Sequence, residues 1–403
     1  MLYFNLEKKG CTGCTACATV CPAKCIKMVA DEEGFVYPVS NDSCIHCGRC
    51  ERVCPIVNRE NIISNEDKSL EIAYCAISKQ HKVWQASASG GAFTEICKAF
   101  ADNSGVIYGA AWNKFEVQHL RAEGVEHIAP LKKSKYVESR LNDCFLHVLA
   151  DVEMGKSVVF CGTPCQVAGL RQCFDTCPDN LLLVDLICHG VGSPKVFAEC
   201  ISLLDEQFGK TVRAYEFRAK RGYHETDHLC KLKFSDESCC YITGDPYMQL
   251  FLNQDCLRPS CGENCRFRSV FRPGDITIAD FKRLEQVFPK MLGVKKNYST
   301  IVFNTEKGLG ILPALIKSMD MTETSIENVK EHNPLFHRQT FFSKQRDIFF
   351  DRFINAPKET VAHCTTPATV MRQKPIKAVT AHLPVGLRRF TIKVIRRFMN
   401  NEK

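Results

Sequence analysis

The sequence predicts an α/β (α+β) body with a small cysteine-rich module in front of it and a helical tail behind, and three observations lead there. Nine of the 25 cysteines fall before residue 55 of 403, so cysteine density alone marks a boundary near residues 58–70. Beyond that boundary, short Val/Ile/Leu runs ending in glycine or turn residues alternate with apolar stripes of helical period, the pattern of buried strands and the helices that cover them. From residue 330 the turn signals thin out, and stretches such as FFSKQRDIFFDRF mix aromatic and charged residues as a packing helix does.

Composition narrows the class. With 45% hydrophobic and 24% charged residues the chain is an ordinary globular sequence, long enough for two or three domains. The boundaries expected are 1–60, 70–150, 151–325 and 330–403. A formal charge of +8, spread along the chain, gives no reason to invoke nucleic acid. MLYFNLEKKG lacks the layout of an export signal, and no stretch is apolar enough for a transmembrane segment, so a soluble cytoplasmic protein is expected. In that compartment thiols stay reduced, and so many cysteines point to metal ligation rather than disulfides.

The front module carries the most specific pattern. Cys11, Cys14, Cys17 and Cys21 before Pro22 spell C-x2-C-x2-C-x3-C-P, and Cys44, Cys47, Cys50 and Cys54 before Pro55 repeat it. This is the ligand run of a bacterial-type ferredoxin with two 4Fe-4S clusters, in which the fourth cysteine of each run serves the other cluster. Cys11, Cys14, Cys17 and Cys54 are therefore expected on one cluster, and Cys44, Cys47, Cys50 and Cys21 on the other. A zinc ribbon would use two C-x2-C pairs and has no role for a third cysteine or for C-P. Cys25 belongs to neither set and reads as a small buried filler.

In the body, EIAYCAISK, GVIYGAAW, KSVVFCG and NLLLVDLICHG read as strands. Phe93, Ile96, Cys97 and Phe100, then Val196, Phe197, Cys200 and Leu204, mark two helices. Three glycine-containing turns join them. Ser87, Ser89, Gly90 and Gly91 precede the first helix, where free N–H groups suit a phosphate, although Ser-Gly-Gly is equally an ordinary helix entry. Cys161-Gly162-Thr163-Pro164-Cys165-Gln166 turns a strand into a helix, and its two thiols read as corner packing. Cys188 and His189 end a strand at the edge where α/β proteins place ligands, and His189 is a candidate proton carrier. Further on, Cys256, Cys261 and Cys265 would complete, with Cys188, four ligands for a third cluster. Arg258, Arg266, Arg268 and Arg272 around them would offset cluster or phosphate charge, or simply face solvent. Cys173 and Cys177 lack upstream partners and read as incidental. At the end of the chain, Leu387, Phe390, Ile395 and Phe398 with five interspersed basic residues form a candidate amphipathic helix.

Four of these segments together, Trp84 to Ala99, CGTPCQVAGLR, ICHGVGSP and LRPSC…C…DITIADF, carry a resemblance. In order and spacing, over roughly residues 70 to 290, they resemble the family of coenzyme F420 hydrogenase/dehydrogenase beta subunits, many members of which begin with a two-cluster ferredoxin. The resemblance implies an FAD-binding α/β domain that exchanges a hydride with a deazaflavin or similar carrier and passes single electrons to iron–sulfur centres and a redox partner protein. It implies further that Ser87, Ser89, Gly90 and Gly91 cradle the flavin or substrate, that Thr163 and Gln166 line the same cleft, and that Asp280 is the functional aspartate after D-I-T-I. Two departures stand out: the spacing between Cys261 and Cys265 is three, and Phe281-Lys282-Arg283 replaces the family's Phe-Trp-Gly. An electron-relay subunit without its own substrate is the alternative reading.

Overall fold

The structure, a computed structural model, describes residues 8–58, 70, 72–101, 103–220, 228–291, 297–339 and 345–371. The front module is built on an antiparallel hairpin, β1 (Ile26–Ala30) and β2 (Val36–Ser40). Two single-turn helices, α1 (Ala16–Thr19) and α2 (Arg49–Arg52), stand at equivalent places in the two cysteine runs. Both follow a left-handed residue, Thr15 at φ 64° and Gly48 at φ 71°, so the two runs share a backbone path as well as a spacing. Left-handed turns of this kind curl the chain around a small volume and aim successive N–H groups inward.

The body centres on a nine-stranded sheet. Its strands along the chain are β3 (Ile72–Ser78), β4 (Val106–Asn113), β5 (Glu116–Glu123), β6 (Ser139–Arg140), β7 (Val158–Cys161), β8 (Leu181–Leu186), β12 (Ile276–Asp280), β13 (Ser299–Phe303) and β14 (Met319–Thr324). Their spatial order is β14-β3-β13-β12-β8-β7-β4-β5-β6. The middle four, β12, β8, β7 and β4, run parallel, and antiparallel pairs extend both sides. Val158 to Phe160 and Leu181 to Val184 have no exposed surface, as expected of parallel strands covered on both faces. Helix α3 (Ala92–Phe100) lays Ile96 and Cys97 on one face of this sheet, and Val167 and Leu170 of α4 (Pro164–Arg171) pack among the core side chains of the other. Thr163 starts α4 with a reciprocal capping box to Gln166, a device that fixes the strand-to-helix corner.

A second layer holds α5 (Pro194–Phe208), α6 (Pro246–Leu252) and an antiparallel sheet of β9 (Val212–Glu216), β10 (Cys230–Phe234) and β11 (Cys239–Thr243). The tail expectation is corrected in part. Helices α7 (Gln345–Asn355) and α8 (Pro357–Cys364) are present, and Phe349, Phe350 and Phe353 of α7 enter the same apolar core as Phe35 of the front module. The chain then becomes a strand, β15 (Thr369–Val370), on the open edge of β11, because that edge offers unpaired backbone groups. The basic stretch Leu387–Phe398 lies outside the described residues.

The module is fastened to the body by buried polar contacts. Arg258 pairs with Glu138, donates to the carbonyls of Cys11 at 3.1 Å and Val36 at 2.8 Å, and lies 4.4 Å from the Tyr37 ring centre. Arg346 of α7 reaches Glu33 at 2.5 Å. At Gly169 a β-carbon would stand 2.8 Å from the Cys14 sulfur, so glycine is what lets α4 come this close to the cysteine run.

Candidate functional site

The front-module cysteines gather as the interleaved reading requires. Burial, then the neighbouring thiols Cys17, Cys54 and Cys11, push the Cys14 thiol well up, and Cys17 rises for the same reasons with Cys11 and Cys54 beside it. Cys21 from the first run instead joins Cys44, Cys47 and Cys50 around a cavity of about 320 Å³. Cys25 is buried in that wall, 3.4 Å from the Cys21 sulfur, a small filler that touches a ligand candidate. Crowded thiols that oppose one another's ionisation are the donor set a polynuclear cation stabilises as thiolates.

A third cysteine group forms where β7 and β8 end, and it differs from the expected one. Cys165, Cys188, Cys261 and Cys265 line a cavity of about 480 Å³ together with Thr12 of the front module. Burial, opposed by the Thr163 hydroxyl, puts the Cys165 thiol at about 12, and Cys188 and Cys265 act in the same upward direction. Cys188 is pushed up to about 11 by burial and then by Cys265. Cys256 is absent from this group: it is fully buried in the second-layer core, with its sulfur 3.3 Å from where a β-carbon on Gly192 would stand. Cys165 takes its place because the capped corner after β7 brings the first turn of α4 beside Cys188. The buried Ser260 hydroxyl lines the cavity without a hydrogen-bond partner among the described residues, as a donor to a cluster sulfur would. Among the described residues no three His, Cys, Asp or Glu side chains converge on a single-ion site. The cysteines ring volumes instead, which suits a cube whose iron corners stand apart.

The arginines divide by role. Arg272 is neutralised by the buried Asp185 at 3.1 Å, Arg258 by Glu138, and Arg268 donates to the His189 carbonyl at 2.6 Å, while Arg266 is exposed. Two of the four therefore fold the chain rather than offer free charge.

Next to the cysteine cavity, outside the carboxyl ends of β7, β8 and β12, lies a cavity enclosing about 1820 Å³ that is open at its mouth. This is where a parallel sheet leaves room for a ligand. Ser87, Ser89, Gly91, Thr163, Gln166, His189 and Asp280 line it, as the sequence leads one to expect. Gly90 does not: a β-carbon there would meet the Ala76 carbonyl at 2.3 Å, so its smallness serves packing against β3. The Ser87 and Ser89 hydroxyls donate to the Val83 and Tyr298 carbonyls at 2.7 and 2.6 Å.

The His189 ring is hydrogen-bonded through Nε2 to the Phe251 carbonyl at 3.2 Å. A carbonyl only accepts, so Nε2 carries the hydrogen and Nδ1 is the basic nitrogen. Burial, then the Arg268 charge, lowers its pKa and keeps the ring neutral. For Asp280, burial alone would raise the pKa, but Arg218, its ion-pair partner, outweighs that and holds the carboxyl below its ordinary range. Several wall residues carried no motif in the sequence: Lys133, Lys135, Arg218, Tyr136 and His119. Burial lowers Lys135 to about 7 and His119 to about 4. Lys220, 4.1 Å over the Trp84 ring, pins the Ser-Gly-Gly turn by donating to the Trp84 and Ser89 carbonyls at 2.7 Å each.

Residues 155–329 match the family model for the C terminus of the coenzyme F420 hydrogenase/dehydrogenase beta subunit, and residues 10–57 match the 4Fe-4S dicluster domain. The chain therefore carries the C-terminal domain of that beta-subunit family behind a 4Fe-4S dicluster domain. This beta-subunit relative is 26% identical to an F(420)H(2) dehydrogenase subunit of Methanosarcina mazei over 218 residues, 48% of this chain and 58% of that one. The match thus spans little more than half of that relative's length. Its front module is 39% identical to the 7Fe ferredoxin of Hydrogenibacillus schlegelii over 71 residues, 17% of this chain and 86% of that one. A chain of the F420-reducing NiFe hydrogenase complex from Methanosarcina barkeri is similar in shape, with a TM-score of 0.44 and 13% identity over 71% of this chain and 92% of that one. The chain is an iron–sulfur protein of electron transfer, and its dicluster module holds 4Fe-4S clusters. No described helix is long and apolar enough to cross a membrane.

Proposed function

We propose that this beta-subunit relative is an iron–sulfur flavoprotein oxidoreductase, exchanging two electrons with a small hydride carrier, a deazaflavin or similar ring, and single electrons with a redox partner protein. One observation supports it above the others: Thr163 and Cys188 line both the large cavity and the cysteine cavity. A ring bound in the first is therefore separated from a cluster in the second by little more than a ligand side chain. In this reading Cys165, Cys188, Cys261 and Cys265 hold a third 4Fe-4S cluster beside the two of the front module. Thr12, whose neighbour Cys11 is a ligand candidate, lies in the same cavity wall and continues the path into the ferredoxin.

FAD, when bound, supplies the conversion between a hydride and two single electrons. The chain's own residues prepare for it. Arg218, ion-paired with Asp280, and Lys133, ion-paired with Glu216, put guanidinium and ammonium donors on the cavity wall for phosphate or an anionic ring, and Lys135 stands beside them. Ser87, Ser89, Gly91, Thr163 and Gln166 line the cavity as well. His189, neutral and with a basic Nδ1, takes up or returns the proton that accompanies a two-electron change. Leu186, Ile187 and Phe251 give the walls an apolar body beside these polar groups.

The test is an anaerobic preparation assayed for acid-released flavin and iron. FAD with roughly twelve irons per chain is expected. No flavin and roughly eight irons would overturn the reading and leave an electron-relay subunit.

A further inference from the structure

We infer that the cluster surrounded by Cys21, Cys44, Cys47 and Cys50 is the electron port of this protein, and that the face around Cys47 and the groove beside α2 dock a small acidic one-electron carrier protein. The inference rests on the reading of the chain as an electron-transfer protein and adds where the electron leaves and what kind of partner receives it.

Burial sets the direction. Of the twelve candidate cluster ligands, Cys47 alone is exposed. The other ferredoxin group is turned inward, with Cys14 packed against Gly169 of α4 and the Cys11 carbonyl held by Arg258. The third group, with Cys165, Cys188 and Cys261, lines a cavity between the sheet and the module. The three groups form a file from the large cavity to the surface. Electron tunnelling weakens steeply with distance, so a protein partner must meet the file at its exposed end.

Charge and shape identify the partner. Ile45 beside Cys47 is 64% exposed, an apolar contact point next to the cluster. Arg49 and Arg52 of α2 are both exposed and line an open groove of about 2090 Å³ between the ferredoxin module and residues 171–177. Lys307 adds positive charge to that groove; Arg171 is paired there with Asp275 at 3.4 Å, and Asp175 is the other carboxylate in its wall. Lys24 and Lys27 are exposed on the same module, where Glu32 and Asp42 are the exposed carboxylates among the described residues. A cationic rim around an apolar contact is the complement of an acidic carrier. Such encounters are small, fast and steered by charge. One electron passes from the reduced cluster, which is oxidised by one, to the carrier's centre, which is reduced by one, and no proton or bond is exchanged.

The experiment uses the full iron-loaded chain, with an acidic plant-type 2Fe-2S ferredoxin as probe and basic cytochrome c as counter-probe. Titration calorimetry should show ferredoxin binding that weakens as salt rises from about 0.02 to about 0.2 M. Arg49→Glu/Arg52→Glu should weaken it roughly tenfold and slow oxidation of the dithionite-reduced protein by ferredoxin to a similar degree. Oxidation by a small uncharged quinone should not change, and the visible absorption of the variant reports its intact clusters. Equal ferredoxin binding by wild type and variant, or wild-type preference for cytochrome c, overturns the inference. Dithionite supplies the electrons, so a missing flavin would sink the hydride reading while leaving this test decisive.

Discussion

Arg258 and Cys11 are 247 positions apart, yet the guanidinium Nε of one donates to the backbone carbonyl of the other at 3.1 Å. Arg258 is 1% exposed, and its charge is met by Glu138, which also accepts from the Val36 amide at 3.2 Å. One side chain thus ties the cysteine run, the hairpin and the body together. Arg258→Met leaves the buried Glu138 carboxylate with only the longer contact to Arg140 at 3.7 Å and the Cys11 and Val36 carbonyls without their donor, and a loss of about 3–5 kcal/mol is expected in anaerobic urea unfolding. Arg258→Met/Glu138→Leu should regain most of it, because an apolar pair of similar volume no longer leaves a charge stranded. Arg258→Lys should fall between them, since an ammonium cannot reproduce the planar fork.

Cys165 and Cys256 discriminate the two versions of the third ligand set. Cys165→Ala should lower the iron content by roughly four atoms per chain and remove one spin system from the reduced protein's paramagnetic resonance spectrum. Cys256→Ala should leave the iron count alone, because that thiol packs in the second-layer core. The reverse pattern would restore the set expected from sequence.

Asp151 sets an acid limb on stability. It accepts from Tyr108 Oη at 2.6 Å, Arg121 Nε at 2.7 Å and Lys156 Nζ at 2.9 Å. Burial would raise its pKa, but Arg121, Tyr108 and Lys156 outweigh that and hold the folded carboxyl well below its ordinary range. The unfolded state therefore binds the proton first, near pH ~3.9. The contribution is complete above that pH and fades as pH falls toward the folded value. Asp151→Asn should cost roughly 1.5–3 kcal/mol at pH 7, the worth of hydrogen bonds to a charged group. The gap from wild type should narrow below about pH 4 in unfolding followed by circular dichroism.

Local chemistry was legible in the sequence. The two C-x2-C-x2-C-x3-C-P runs specify their ligand loops because spacing along a short chain dictates how thiolates can wrap a cube. Strands β3, β4, β7 and β8 were legible because buried strands demand runs of Val, Ile and Leu. Antiparallel β9, β10 and β11 were not singled out, nor were β5, β6, β12, β13 and β14 of the main sheet, since runs of two to eight residues carry little signal of their own.

The candidate site divides the same way. That Cys188, His189 and Thr163 gather at one edge follows from strand ends and turn residues, which each segment carries in its own sequence. Which cysteine joins Cys188, Cys261 and Cys265 does not: Cys165 and Cys256 are equally plausible thiols on paper, and only the capped corner of α4 and the packing around Gly192 separate them. The cations Lys135 and Arg218 carry no motif, because a charged wall is assembled from side chains that share a cavity but no stretch of chain. By itself the sequence determined which residues can bind iron and picked out four strands of the sheet, β3, β4, β7 and β8. Tertiary structure decided which distant thiols meet, which arginines are spent on buried carboxylates, and which cluster faces water, since burial and long-range contact belong to the folded chain and to no local run of residues.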